Sequence, residues 1–278
     1  MRRGRWLISF RSASLVYRQA LTPAVDNVTL TIPDGQMLSV VGANGSGKST
    51  LGRLMNGLLL PTSGVVEVDG VSTAQTDGVR LSRSRVGMVF QNPDSGIVSA
   101  SVEEDVAFVL ENRAMPQPRM RRRVDEVLEL VGLSTRKRTH PLDLTTSERA
   151  LLGLAAAVAG EPRYLILDEA TAYLDAADRR SLLSAVDRIH CATGMAVILI
   201  THLMEEALTT GRVLVMQDGR IVFDGTPRDL FADAVRARSW RLELPFALQV
   251  AQELRDRGLD LGPEATEPGA LADVLCRL

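Results

Sequence analysis

The chain has 278 residues, 45% hydrophobic and 24% charged, which suits one large α/β domain or two small ones with the balance of a soluble globular protein. A net charge of −2 gives no global basic field, so nucleic acid is not an expected partner. Two cysteines, Cys191 and Cys276, are too few for a disulfide framework and lack metal-ligand spacing, which excludes a disulfide-stapled secreted protein.

The first 35 residues read as short strands at 7–10, 14–17 and 28–32, closed by the turn Pro33-Asp34-Gly35. An apolar strand at 37–41 runs straight into a glycine-rich loop and a helix from Lys48. Further apolar strands fall at 65–68, 86–90, 164–167, 196–200 and 213–216, and Gln217-Asp218-Gly219-Arg220 signals a hairpin into 221–224. Between them, 118–131 places Val124, Val127, Leu128 and Val131 on one helical face. The run Arg119, Arg121, Arg122, Arg123 reads as its solvated first turn. Residues 100–160 contain no convincing strand and read as a helical insertion between two sheet strands. The pattern changes near Leu242, after which Ala247, Val250, Ala251 and Leu254 recur at helical spacing. Val, Ile and Leu strands alternating with helices predict a mostly parallel sheet covered on both faces.

The longest apolar stretches, 150–159 and 195–200, fall short of the roughly 20 residues a spanning helix needs. The N-terminal segment has arginines but no apolar core of signal-peptide length. A reducing, cytosolic setting is expected, with both thiols buried in packing roles. Any membrane role is expected to come through a partner.

Gly42-Ala43-Asn44-Gly45-Ser46-Gly47-Lys48-Ser49 matches G-x-x-x-x-G-K-[ST] in full, after a buried strand and before a helix. Glycines let backbone N–H groups curl around phosphate oxygens at a helix N-terminus. Lys48 is placed for the β- and γ-phosphates and the Ser49 hydroxyl for Mg²⁺, as in P-loop NTPases. A second signal is the apolar strand at 164–167 ending in Asp168-Glu169. Asp168 is expected in the Mg²⁺ shell, and Glu169 is free to polarise an attacking water.

With Gln91, Leu174-Asp175 and His202, these residues stand in the order and spacing of an ABC (ATP-binding cassette) ATPase, and the resemblance covers nearly the whole chain. It implies ATP and Mg²⁺ as ligands. The ATP site would comprise Tyr17, stacked on adenine, together with Gly42, Asn44, Gly45, Ser46, Gly47, Lys48, Ser49 and Thr50. Gln91 would sense Mg²⁺ and the nucleophilic water, His202 would touch the γ-phosphate, and Asp175 would join the dimer contact. The fold implied is an α/β P-loop NTPase: a mostly parallel core, an N-terminal antiparallel β subdomain and a helical signature subdomain. The ATPase domain is expected over 1–240, with the helical part at about 100–160 and a small helical appendage over 241–278.

A narrower resemblance rests on the run from Val86 through Gln91-Asn92-Pro93-Asp94 into Val102-Glu103-Glu104-Asp105-Val106-Ala107-Phe108. Glu111-Asn112-Arg113 and Leu244-Pro245-Phe246 add to it. These resemble the ATPases of energy-coupling-factor (ECF) transporters, importers of vitamins and transition-metal ions. That family pairs two ATPase chains under a transmembrane coupling protein and a substrate-binding membrane protein, which implies a peripheral position on the cytoplasmic face of the membrane. The region 91–113 would receive the coupling protein.

One motif departs from the pattern. Where such ATPases usually carry Leu-Ser-Gly-Gly-Gln, this chain reads Leu144-Thr145-Thr146-Ser147-Glu148. Thr145 with Glu148 fits a capping box. If the replaced glycines need positive φ, Thr146 and Ser147 incur strain of about 1–2 kcal/mol. The Glu148 carboxylate would repel an incoming γ-phosphate. The expectation is a heterodimer in which the partner's signature is intact and the site completed by this chain's signature turns over slowly. Alternative readings are the ATPase of an ordinary ABC importer or exporter, a regulatory cassette with little turnover, and a soluble ABC protein acting on DNA or ribosomes. The last usually carries a long coiled-coil insertion or two cassettes, absent here.

Overall fold

Two sheets of different character organise the chain, and the computed structural model describes residues 7–258 and 268–276. In chain order the strands are β1 (Leu7–Leu15), β2 (Val25–Pro33), β3 (Met37–Val41), β4 (Ser63–Val68), β5 (Val71–Ser72), β6 (Val86–Val89), β7 (Tyr164–Asp168), β8 (Ala196–Ile200), β9 (Arg212–Gln217) and β10 (Arg220–Gly225). The smaller sheet runs β2-β1-β4-β5 and is antiparallel; the larger runs β10-β9-β3-β8-β7-β6. In the larger sheet every neighbouring pair is parallel except β9–β10.

The two strands expected at 7–10 and 14–17 are one strand. Its ladder with β2 shifts register between Phe10 and Ala13, where Ser12 takes a φ of 47°, and it stops at Leu15. The predicted hairpin is present, with Asp218 at φ 48° and Gly219 at φ 80°, both positive as a two-residue turn of the primed type requires.

The helices are α1 (Lys48–Met55), α2 (Thr76–Arg85), α3 (Val102–Glu111), α4 (Gln117–Leu130), α5 (Thr146–Ala159), α6 (Ala176–Thr193), α7 (Met204–Ala207), α8 (Pro227–Phe231), α9 (Ala234–Ser239), α10 (Phe246–Asp256) and α11 (Pro268–Leu275). Between β6 and β7 lie α3, α4 and α5, with short 3-10 turns and no strand. The start of α3 has a chemical reason. Ser101 accepts the Glu104 N–H at α3, whose first turn carries Glu103, Glu104 and Asp105 against the positive helix end.

Central strands bury both faces, and their alternation splits the core in two. Leu165 and Leu167 of β7, with Val197 and Leu199 of β8, face the core shared with α3, α4, α5 and α6. Tyr164, Ile166, Ala196, Ile198 and Ile200 face the core shared with α1 and the antiparallel sheet. This is why both strands read as unbroken apolar runs. The C-terminal helices have a small cluster of their own, Ala247, Ala251 and Leu271.

Two expectations need correction. Arg123 is not a solvated first-turn residue: its Nε donates to Ala159 O at 3.0 Å and its Nη2 to Val158 O at 3.1 Å, satisfying carbonyls at the end of α5. Cys191 and Cys276 are both exposed rather than buried. Cys191 sits on the solvent face of α6, whose buried residues are Leu182, Ala185, Val186 and Ile189.

Candidate active site

The loop between β3 and α1 is shaped by close backbone approaches. A Cβ on Gly42 (φ 149°) would lie 2.2 Å from Met216 O, and one on Gly47 (φ 102°) 2.1 Å from Ala24 O. Only glycine meets both conditions. The tip of the β9–β10 hairpin braces the loop, with Gly219 N donating to Ser46 O at 3.0 Å and Asp26 N to Gly219 O at 2.9 Å. This buttress was missed in the sequence, where the Asp-Gly pair signalled only a turn.

Lys48, 4% exposed, folds over the loop and donates to Gly42 O at 2.8 Å and Ala43 O at 3.1 Å. Burial lowers its pKa, opposed by the charges of Glu169 and Asp168. Ser49 Oγ donates to Asp168 Oδ1 at 2.6 Å. Burial raises the Asp168 pKa, and the Ser49 hydroxyl opposes that rise. The Ser46 hydroxyl oxygen is buried in the loop without a hydrogen-bond partner among the described residues. Tyr17, partly exposed after β1, sets its hydroxyl 3.1 Å from Thr50 Oγ1, and Asn44 is exposed at the loop crest.

Glu169 follows β7 in a left-handed conformation, φ 51°. Its N–H donates to Ile200 O at 2.9 Å, so the turn is pinned to the end of β8. Gln91 Nε2 donates to Glu169 Oε2 at 3.0 Å, His202 Nδ1 lies 3.6 Å from the same oxygen, and Lys48 Nζ lies 3.9 Å from Oε1. Side chains that follow β6 and β8, and one from the first turn of α1, thus converge on the carboxylate that follows β7. The arrangement can bind an anion on the loop, hold a divalent cation at the Ser49–Asp168 edge, and accept a proton at Glu169.

The remaining candidates stand apart, and no hydrogen bond or ion pair among the described residues joins them to the loop. Asp175 caps α6, accepting from Ala177 N at 2.8 Å and Asp178 N at 2.9 Å; these bonds lower its pKa. Thr145 and Glu148 form the predicted capping box on α5. The expected strain is absent: Thr146 opens the helix, and neither it nor Ser147 has positive φ, because the box sets an ordinary helix start. Glu148 is also not a bare charge. Its Oε2 accepts Thr145 N at 2.8 Å, its Oε1 accepts Arg136 Nε at 2.9 Å, and the backbone bond leads in lowering its pKa.

Arg149 was not anticipated. Its Nη1 donates to Leu144 O at 2.6 Å and its Nε lies 2.8 Å from Asp94 Oδ1, tying the start of α5 to the turn after Gln91. Nothing in local sequence signals a link between segments so far apart in the chain.

The family model described as ABC transporter matches residues 25–172. An energy-coupling factor transporter ATP-binding protein, EcfA1 of Symbiobacterium thermophilum, is 46% identical over 255 residues, covering 92% of this chain and 89% of that protein. The chain belongs to the ABC transporter family. Within it the chain is an ECF-type ATPase, with ATP hydrolysis as its reaction. The solved cbiO1 of Clostridium perfringens, part of the ABC transporter complex cbiONQ, aligns at a TM-score of 0.77 and 30% identity, covering 89% of this chain and 99% of that one. The ATP-binding cassette MJ0796, solved as a dimer in a post-hydrolysis state with ADP and Pi, aligns at 0.72 and 25%, covering 79% and 98%. Among the described residues no helix of this ABC ATPase is long and apolar enough to cross a membrane.

Proposed function

We propose that this chain powers an ECF-type importer of a vitamin or transition-metal ion from the cytoplasmic face of the membrane. In this reading it pairs with a second ABC ATPase chain of intact signature, beneath a transmembrane coupling protein and a substrate-binding membrane protein. The observation that carries the catalytic part is the convergence of Gln91, His202 and Lys48 on the Glu169 carboxylate.

The N–H groups of the loop from Gly42 to Ser49 receive the phosphates, and Lys48 exchanges the Gly42 and Ala43 carbonyls for phosphate oxygens. Tyr17 offers adenine a flat apolar surface. The hard-oxygen pair of Ser49 and Asp168, beside phosphate oxygens, fits Mg²⁺, which one or two protein oxygens plus substrate normally hold, and in this reading the amide oxygen of Gln91 joins them. Bound there, Mg²⁺ supplies charge neutralisation to the phosphates. Glu169 accepts a proton from the attacking water, Gln91 orients that carboxylate, and His202 meets the γ-phosphate. Catalysis by positioning and preorganised charge needs nothing further from the chain.

The asymmetric pair is supported by the α5 start. The N–H and the hydroxyl oxygen of Thr145 are both engaged with Glu148, and a carboxylate occupies the helix end that an incoming phosphate would meet. The second reading, a regulatory cassette, draws on the same feature. The deciding experiment places Glu169→Gln in this chain, or the equivalent change in its partner, within the purified complex. Loss of turnover only when this chain is altered supports the proposal; equal loss from either side removes the asymmetry; no loss from this chain selects the regulatory reading.

A further inference from the structure

Glu206 of α7 is 2% exposed, and neither carboxylate oxygen has a hydrogen bond among the described residues. Its neighbour of opposite charge is Arg179 of α6, whose Nε lies 3.7 Å from Oε1. Arg179 in turn donates through Nη2 to Leu174 O at 3.4 Å, and its N–H donates to Asp175 O. With Glu206 buried and Arg179 only partly so, an ion pair of this separation is a poor stability device, because desolvation of the carboxylate offsets the attraction. Its placement gives it another use.

Glu206 sits four residues after His202 on a short, tightly bonded path. Thr201 N donates to Val40 O, Leu203 N to Thr201 Oγ1 and Glu206 N to Leu203 O. One end of the pair therefore holds the segment that sets His202 against Glu169, while the other holds the turn at Leu174 and Asp175. We propose that Arg179 and Glu206 are positioning residues that fix the His202 segment relative to the Leu174–Asp175 turn, so that displacement of either is transmitted to the Glu169 carboxylate. The inference rests on the catalytic reading of Glu169 and His202 given above.

The test replaces both members with apolar side chains of similar size, Arg179→Met with Glu206→Leu. Removing the pair together leaves no orphan charge, so the thermal midpoint should hold or rise. In the purified complex kcat should fall about tenfold while KM for ATP stays within about twofold, the pattern of a lost transition-state alignment. In the isolated chain the His202 ring resonances should move, while those of His140 and His190, the other two histidines, should not. Unchanged kcat with unmoved His202 signals overturns the proposal, as does a kcat loss that merely follows a lowered thermal midpoint.

If the double variant fails to fold, Arg179→Lys serves. A lysine keeps the charge opposite Glu206 but lacks the planar fork that also reaches Leu174 O. The same split between kcat and KM is then expected, and wild-type kcat sinks the idea. Wild-type complex that binds no ATP would instead defeat the catalytic reading, which keeps the two failures distinct.

Discussion

Gln91 and Glu169 share a hydrogen bond of 3.0 Å although they leave the ends of two different strands, β6 and β7. Those strands are paired in parallel with Val89 opposite Leu167, so their C-terminal ends deliver both side chains to the same edge. The bond holds the carboxylate of Glu169 without neutralising it. Glu169→Gln should therefore lower kcat by about 10²–10⁴, the usual worth of a positioned base, while ATP binding stays near wild type. Phosphate release and fluorescent-nucleotide titration on one preparation check it, and retained turnover would assign the base elsewhere.

The glycines of the phosphate loop should not respond alike. At Gly47 an added methyl meets the Ala24 carbonyl at 2.1 Å, whereas at Gly45, φ 80°, it meets nothing within 4 Å. Gly45→Ala then costs only the left-handed backbone, about 1–2 kcal/mol. Gly47→Ala must also push the loop off Ala24, the residue before β2, and should weaken ATP binding by well over tenfold. Comparable affinities for the two variants would mean that the loop relaxes freely.

Much of this site was legible because its signals are local. The phosphate loop, the Asp168-Glu169 pair and the capping box of Thr145 and Glu148 each occupy a few consecutive residues whose chemistry is self-explanatory. The sheet was legible for a related reason: β3 and β8 were read at their observed bounds, since strands buried on both faces leave an unbroken apolar run. What escaped was non-local. Arg123 on the α5 carbonyls, Arg149 on Asp94, Arg179 on Glu206 and Gly219 on Ser46 join segments whose proximity only the fold creates. Long arginines were the worst case, because a charged residue in a helical run reads as solvated unless its partner is known.

Asp105 gives a pH-dependent prediction. It is 3% exposed, and its Oδ1 accepts from Val98 N at 2.8 Å and Ser99 N at 3.1 Å. Burial dominates and raises its pKa against those bonds. A carboxyl whose folded pKa is raised binds its proton more tightly when folded. Its ionised form therefore costs stability above the folded pKa, and that cost fades as pH falls toward the unfolded value. Asp105→Asn keeps an oxygen for both N–H groups and removes the charge. It should raise the thermal midpoint at pH 7 relative to wild type, with the gap closing on acidification. Asp105→Ala strands both donors and should cost about 2 kcal/mol in acid, where wild type carries no ionisation cost, and less than that at pH 7. A gap for Asn that widens with acid would refute the burial argument.

The altered signature can be tested by reading the slow site alone. With Glu169→Gln silencing this chain's own loop in a mixed dimer, residual turnover comes from the partner's loop completed by Thr145–Glu148. Glu148→Gln preserves the capping box, since an amide oxygen can still accept Thr145 N, but removes the negative charge from the start of α5. Repulsion of an anion there is worth roughly 1 kcal/mol, so turnover should rise about fivefold. Arg136 loses its partner, and its freed guanidinium favours phosphate further. Thr146→Gly with Ser147→Gly should gain less, because neither residue has a positive φ to relieve. If instead the glycine pair restores turnover and the amide does not, the defect is steric approach of the backbone and not charge.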